Sequence, residues 1–111
     1  MTADALNKRQ ATALQAIKDL YGKPKGEYGP TLFVSHHLQE VEAAYWLRVF
    51  GTAQPNPDQV LNALVLTNSW SSEGDENIDT FDFSLPENAT NYVLSVRFHE
   101  NGEVQSVSME S

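Results

Sequence analysis

Cysteine is absent from the 111 residues, so disulfides, thiolate metal sites and cysteine nucleophiles are excluded. No run of about 18 apolar residues occurs, which argues against a membrane-spanning helix. The first ten residues, Met1 to Gln10, hold no apolar signal core and predict no secretory signal. There is no Gly-x-Ser-x-Gly elbow, no His-Glu-x-x-His pair and no glycine-rich phosphate loop. Those absences remove the usual signatures of serine hydrolases, zinc proteases and nucleotide-binding enzymes. The expectation is a cytoplasmic protein of one domain, residues 1–111, without a cofactor, a metal or a catalytic residue.

Basic residues are scarce beyond the first quarter. The net charge of −8 divides unevenly. Residues 1–26 set Lys8, Arg9, Lys18, Lys23 and Lys25 against Asp4 and Asp19, a balance of +3. Residues 27–111 set Arg48 and Arg97 against thirteen carboxylates, a balance of −11. Such a surface repels phosphate backbones, so nucleic acid is not an expected ligand, whereas a basic protein is.

What is present is a change of period. Leu6, Ala13, Leu14, Ile17, Leu20 and Tyr21 recur at helical spacing and predict a helix over 4–21, with Asp4 as its cap and Gly22 as its stop. Residues 22–30 read as a loop. Thr31-Leu32-Phe33-Val34 fits either a strand or a buried helix entry, and Ser35 can cap a helix running to about Phe50. Asn56-Pro57 is a helix start, giving a short helix to Leu64 and making 31–64 the helical part. From there alternation takes over, with strands at about 65–71, 78–85, 91–98 and 103–109. Asn101-Gly102 predicts a two-residue type I′ hairpin that places Phe98 opposite Gln105, Val96 opposite Val107 and Leu94 opposite Met109.

One strand face collects Leu66, Trp70, Phe81, Phe83, Leu85, Tyr92, Leu94, Val96 and Phe98; the other collects Thr67, Ser69, Thr80, Asp82, Ser84, Ser95, Arg97, Ser106 and Ser108. This predicts an α+β fold, with two to three helices on one face of a four-stranded antiparallel meander (65–109) and a polar face left to water.

Three constellations bear on chemistry. Asp75-x-Asn77-x-Asp79 begins like a calcium loop, but its sixth position is Thr80 rather than glycine and its twelfth is Pro86 rather than glutamate. An acidic hairpin turn is the better account. His36, His37 and Glu40 share a helix turn, but no third convergent ligand is evident. Asp79 and Asp82 fall on opposite faces of their strand, so they cannot flank one cleft as glycosidase carboxylates do.

His37-Leu38-Gln39-Glu40-Val41, Tyr45-Trp46, Phe50-Gly51, Leu64-Val65-Leu66 with Trp70, Asp79-Thr80-Phe81-Asp82-Phe83-Ser84-Leu85-Pro86, Thr90-Asn91-Tyr92-Val93-Leu94-Ser95-Val96-Arg97-Phe98, Gly102-Glu103-Val104 and Met109-Glu110-Ser111 carry a likeness. Over about residues 31–111 the chain resembles a bacterial family of small acidic proteins known as a domain of unknown function. The resemblance implies a bacterial, cytoplasmic protein and no established catalytic residue. In its size, charge and lack of cysteine the chain is also similar to immunity proteins of bacterial toxin systems.

Two expectations of function follow. The first is a non-enzymatic protein-binding module, of the kind that inhibits a basic toxin, with Glu73, Asp75, Glu76, Asp79, Asp82 and Arg97 at the contact. The alternative is a small enzyme or ligand-binding protein with a pocket between helix and sheet, lined by His37, Tyr45, Trp46 and Tyr92. A third use of the hydroxyl-rich face is self-association.

Overall fold

The computed structural model describes residues 2–111; Met1 lies outside them. Helix α1 spans Ala3–Leu20, and its cap is Thr2, whose hydroxyl accepts from the Ala5 amide at 3.1 Å, rather than Asp4. It buries Ala13 and Ile17. A 3-10 turn, Pro24–Gly26, leads to α2 (Pro30–Glu40), so the ambiguous Thr31–Val34 segment is helical. Pro30 occupies the first helical turn, where its missing N–H is no loss. Ser35 is therefore inside the helix and caps nothing; its hydroxyl donates to the Leu32 carbonyl.

The expected single helix to Phe50 is two. Helix α3 spans Ala43–Phe50 after a break at Val41–Glu42. The break frees the Val41 carbonyl, which accepts from the buried Trp46 indole at 3.1 Å. Gly51, at φ +76°, ends α3 in the left-handed conformation that glycine adopts without steric penalty. Helix α4 (Pro57–Asn62) carries a full capping box between Asn56 and Gln59.

Strands β1 (Val65–Trp70), β2 (Thr80–Ser84), β3 (Val93–Phe98) and β4 (Val104–Glu110) form an antiparallel sheet in the order β1-β2-β3-β4. The fold is α+β, with four α-helices among the described residues. Phe81, Phe83, Leu85, Leu94, Val96 and Phe98 are buried on one face against Ala13, Ile17, Phe33 and Val34 from the helices. At about 25 cal/mol per Å² of apolar surface, burial of these aromatic and aliphatic groups is the main force holding helices to sheet.

Two local irregularities change the expected pattern. Leu66 pairs with Phe83 and Asn68 with Asp82, so Thr67 is an extra residue in β1. A bulge of this kind reverses the alternation beyond it. Trp70, expected in the core, therefore pairs with Thr80 and is 38% exposed on the outer face. At the other end, His99 and Glu103 close a three-residue loop through the Glu103 carbonyl and His99 amide, 2.8 Å apart. Only Gly102 in that loop has positive φ, +88°, so the expected type I′ turn is replaced. Phe98 then pairs with Val104 rather than Gln105. The register shift between Arg97 and Phe98 restores Val96 opposite Val107 and Leu94 opposite Met109, as the sequence predicts.

Candidate functional site

The meander brings the β1–β2 and β3–β4 connections to the same end of the sheet. Glu73, Asp75 and Asp79 of the first thus lie beside Glu100 of the second, around a cleft of about 520 Å³ also lined by Arg9, Arg97 and His99, while Glu76 belongs to the same loop but not to the cleft lining. Arg9 was not legible as a member of this site. Its guanidinium donates to the Ile78 carbonyl at 2.8 Å and lies over the Phe98 ring at 5.7 Å, contacts that only the docking of α1 creates.

The four loop carboxylates divide by role. Asp75 accepts from the Ser71 hydroxyl and the Asn77 amide, each at 2.8 Å. Asp79 accepts from the Ser72 amide and the Thr80 hydroxyl, each at 2.9 Å, and from the Ser72 hydroxyl. Partial burial pushes the Asp79 carboxyl up, but the bonds from Ser72 and Thr80 and the nearby Arg97 charge together outweigh it, so it sits below its ordinary value. Glu73 and Glu76 are exposed and stand outside these bonds. Asp75 and Asp79 shape the loop, whereas Glu73 and Glu76 present charge. Among the described residues, no group of three or more histidines and carboxylates is arranged to hold a metal ion.

The outer sheet face adjoins this end. The Trp70 indole donates to Asp82 Oδ2 at 3.1 Å, and the Arg97 guanidinium lies 6.0 Å from the same ring. Asp82 Oδ1 is buried and meets no hydrogen-bond donor among the described residues. Asp82 pairs with Ser95, which pairs with Ser108, and Arg97 pairs with Ser106. A cleft of about 390 Å³ runs between Trp70, Ser95, Arg97, Ser106, Ser108 and Glu110.

His37, Tyr45 and Trp46 are packed into the interior, where protein groups engage their polar atoms. His37 Nδ1 donates to the Phe33 carbonyl at 2.6 Å, and Nε2 accepts from the Thr90 hydroxyl at 3.0 Å. Burial is the main cause that lowers the His37 pKa, aided by His36 and opposed by the Phe33 bond. The Tyr45 hydroxyl donates to the Pro86 carbonyl at 2.9 Å; burial above all, then the Glu87 charge, raises its pKa. Tyr92 lies at the margin, 36% exposed, edge-on to His36 and His37. The structure brings His37 and Tyr92 together and pairs Tyr45 with Trp46.

Among the described residues, no helix is long and apolar enough to cross a membrane. The chain matches no protein-family model, no curated protein and no solved structure.

Proposed function

We propose that the chain is a non-enzymatic protein-binding module that engages a basic partner, in the manner of an immunity-type inhibitor of a basic toxin. The observation that carries this is the placement of Trp70, Arg97 and Asp82 together on the sheet face opposite the helix-packed core, next to the acidic end. Tryptophan and arginine are the residues most enriched among binding hot spots. Glu73 and Glu76, with the net charge of −8, speed association with a basic surface and set its orientation. The hydroxyls of Ser95, Ser106 and Ser108 supply a polar surround.

The test is capture of partners by the immobilised protein from a lysate of its source cells at low salt, alongside Trp70→Ala and the double variant Glu73→Lys, Glu76→Lys. The expected result is a basic protein retained in near-equal amount, released by rising salt and lost from both variants. Equal capture by all three proteins removes this surface from consideration.

A further inference from the structure

The two edges of the sheet are not alike. Along β4 the Met109 amide donates to the Tyr28 carbonyl at 3.3 Å. Gly29 lies so close that an added Cβ would stand 2.9 Å from the Val107 carbonyl oxygen. The loop before α2 thus covers that edge. Strand β1 has no such cover. Its one substantial neighbour among the described elements is β2, and every residue from Val65 to Trp70 except Leu66 is exposed.

Native sheets blunt an open edge with lysine, proline, an inward charge, a bulge or a covering segment, because its free N–H and C=O groups template another strand. Val65-Leu66-Thr67-Asn68-Ser69-Trp70 contains neither a charge nor a proline. Its single irregularity is the bulge at Thr67. That edge runs directly into the loop that presents Glu73 and Glu76.

Building on the reading of the chain as a module for a basic partner, we propose that β1 takes up an extended segment of that partner as a fifth, antiparallel strand. Antiparallel pairing continues the pattern of the sheet and is slightly the more stable arrangement per residue. It places the N-terminal end of the incoming segment beside the acidic loop, so lysine or arginine at that end meets Glu73 and Glu76. Main-chain bonds along β1 supply attachment, and the charges supply direction. A second copy of the chain is a poorer occupant. The Thr67 bulge hinders any incoming strand alike, but two chains of charge −8 repel each other, whereas a basic segment is attracted.

The test uses the synthetic peptide Lys-Lys-Thr-Val-Thr-Val-Thr-Val, its relative with both lysines moved to the C-terminal end, and versions N-methylated at alternate residues. Amide hydrogen exchange of the whole protein is followed by NMR, with light scattering alongside. At saturating peptide, exchange at amides within Val65–Trp70 slows about tenfold or more. The N-terminal-lysine peptide binds about three- to tenfold tighter than its relative, and salt or Glu73→Gln with Glu76→Gln removes that preference. N-methylation in one alternate register abolishes binding, and in the other spares it. Unchanged β1 exchange, protection confined to β3 and β4, or slowing that tracks protein concentration without peptide overturns the proposal. If β1 exchange is unchanged while Trp70→Ala still abolishes partner capture, the edge alone is excluded and the binding-module reading stands.

Discussion

The Trp70 indole donates to Asp82 from a strand position that simple alternation turns inward. The Thr67 bulge makes the bond, because it moves the ring to the outer face beside Asp82 and Arg97. One Asp82 oxygen is thereby paired, while the other is buried without a donor. An orphaned acceptor of this kind costs about 1–3 kcal/mol.

The two tryptophans separate binding from stability. Trp46 is 2% exposed, packs its ring against Tyr45 and Phe50 and donates to the Val41 carbonyl at the break. Trp46→Ala is expected to destabilise by about 3–5 kcal/mol in urea unfolding. Trp70→Ala, at an exposed site, is expected to change stability by about 1 kcal/mol or less and yet to abolish partner capture. A large loss of stability in Trp70→Ala would show the ring to be structural.

His37 predicts a mild-acid limb in stability. Its folded pKa lies below the ordinary 6.5, chiefly because the ring is buried. The unfolded chain therefore takes up this proton first as pH falls. The neutral ring's contribution is complete above 6.5 and is lost as pH drops from there through the folded value. His37→Gln is expected to flatten the dependence of Tm on pH in that window. An unchanged slope would assign the limb to another group.

Much of the architecture is written in the chain, and the exceptions have physical causes. The switch from helical to alternating period at Leu64 gives the α+β arrangement, because it sets the order of helices and strands. Gly51 and Asn56-Pro57 mark their helix ends by backbone chemistry alone. The break at Val41–Glu42 carries no glycine or proline, and the Trp46 indole that meets its freed carbonyl belongs to the next helix. Thr67 looks like any strand residue, so neither the bulge nor the outward Trp70 is legible. Asn101-Gly102 does mark the turn, and the register of β3 on β4 is right because two departures cancel: a longer loop and a shift between Arg97 and Phe98. At the acidic end the carboxylates are legible, but their division into loop-holding and free groups depends on where Ser71, Ser72 and Thr80 point.

Gly26 fixes the loop that covers the β4 edge. A Cβ there would overlap the Leu20 carbonyl, and that carbonyl is main chain at the end of α1, so it cannot rotate away. Gly26→Ala is expected to destabilise by about 1–3 kcal/mol. It is also expected to speed exchange at the Met109 amide, which donates to Tyr28 in the same loop. Gly74→Ala tests a different cost, since its surroundings are open and only its φ of +73° resists a side chain. That variant is expected to lose about 1 kcal/mol, with the Met109 amide unaffected. Equal effects of the two substitutions on Met109 would mean that the loop does not govern the edge.

The aspartates and the glutamates of the β1–β2 connection give opposite outcomes when neutralised. Asp79→Asn removes a carboxylate that accepts from Ser72 and Thr80, and is expected to cost about 1–2 kcal/mol. Because the folded pKa of Asp79 is below the ordinary 3.8, its contribution is present above 3.8 and lost as pH falls through the folded value. The variant's acid unfolding should therefore be shallower in that range. Asp75→Asn is expected to loosen the same loop, since Asp75 holds Ser71 and the Asn77 amide. Glu73→Gln with Glu76→Gln should leave stability within about 0.5 kcal/mol, because neither carboxylate is among the bonds that hold the loop. The same pair should slow association with a basic partner, most of all at low salt, while dissociation changes little. If instead the glutamates govern stability and the aspartates govern association, charge is presented by the loop's inner carboxylates, and the partner must rearrange Ser71–Asp79 to reach them.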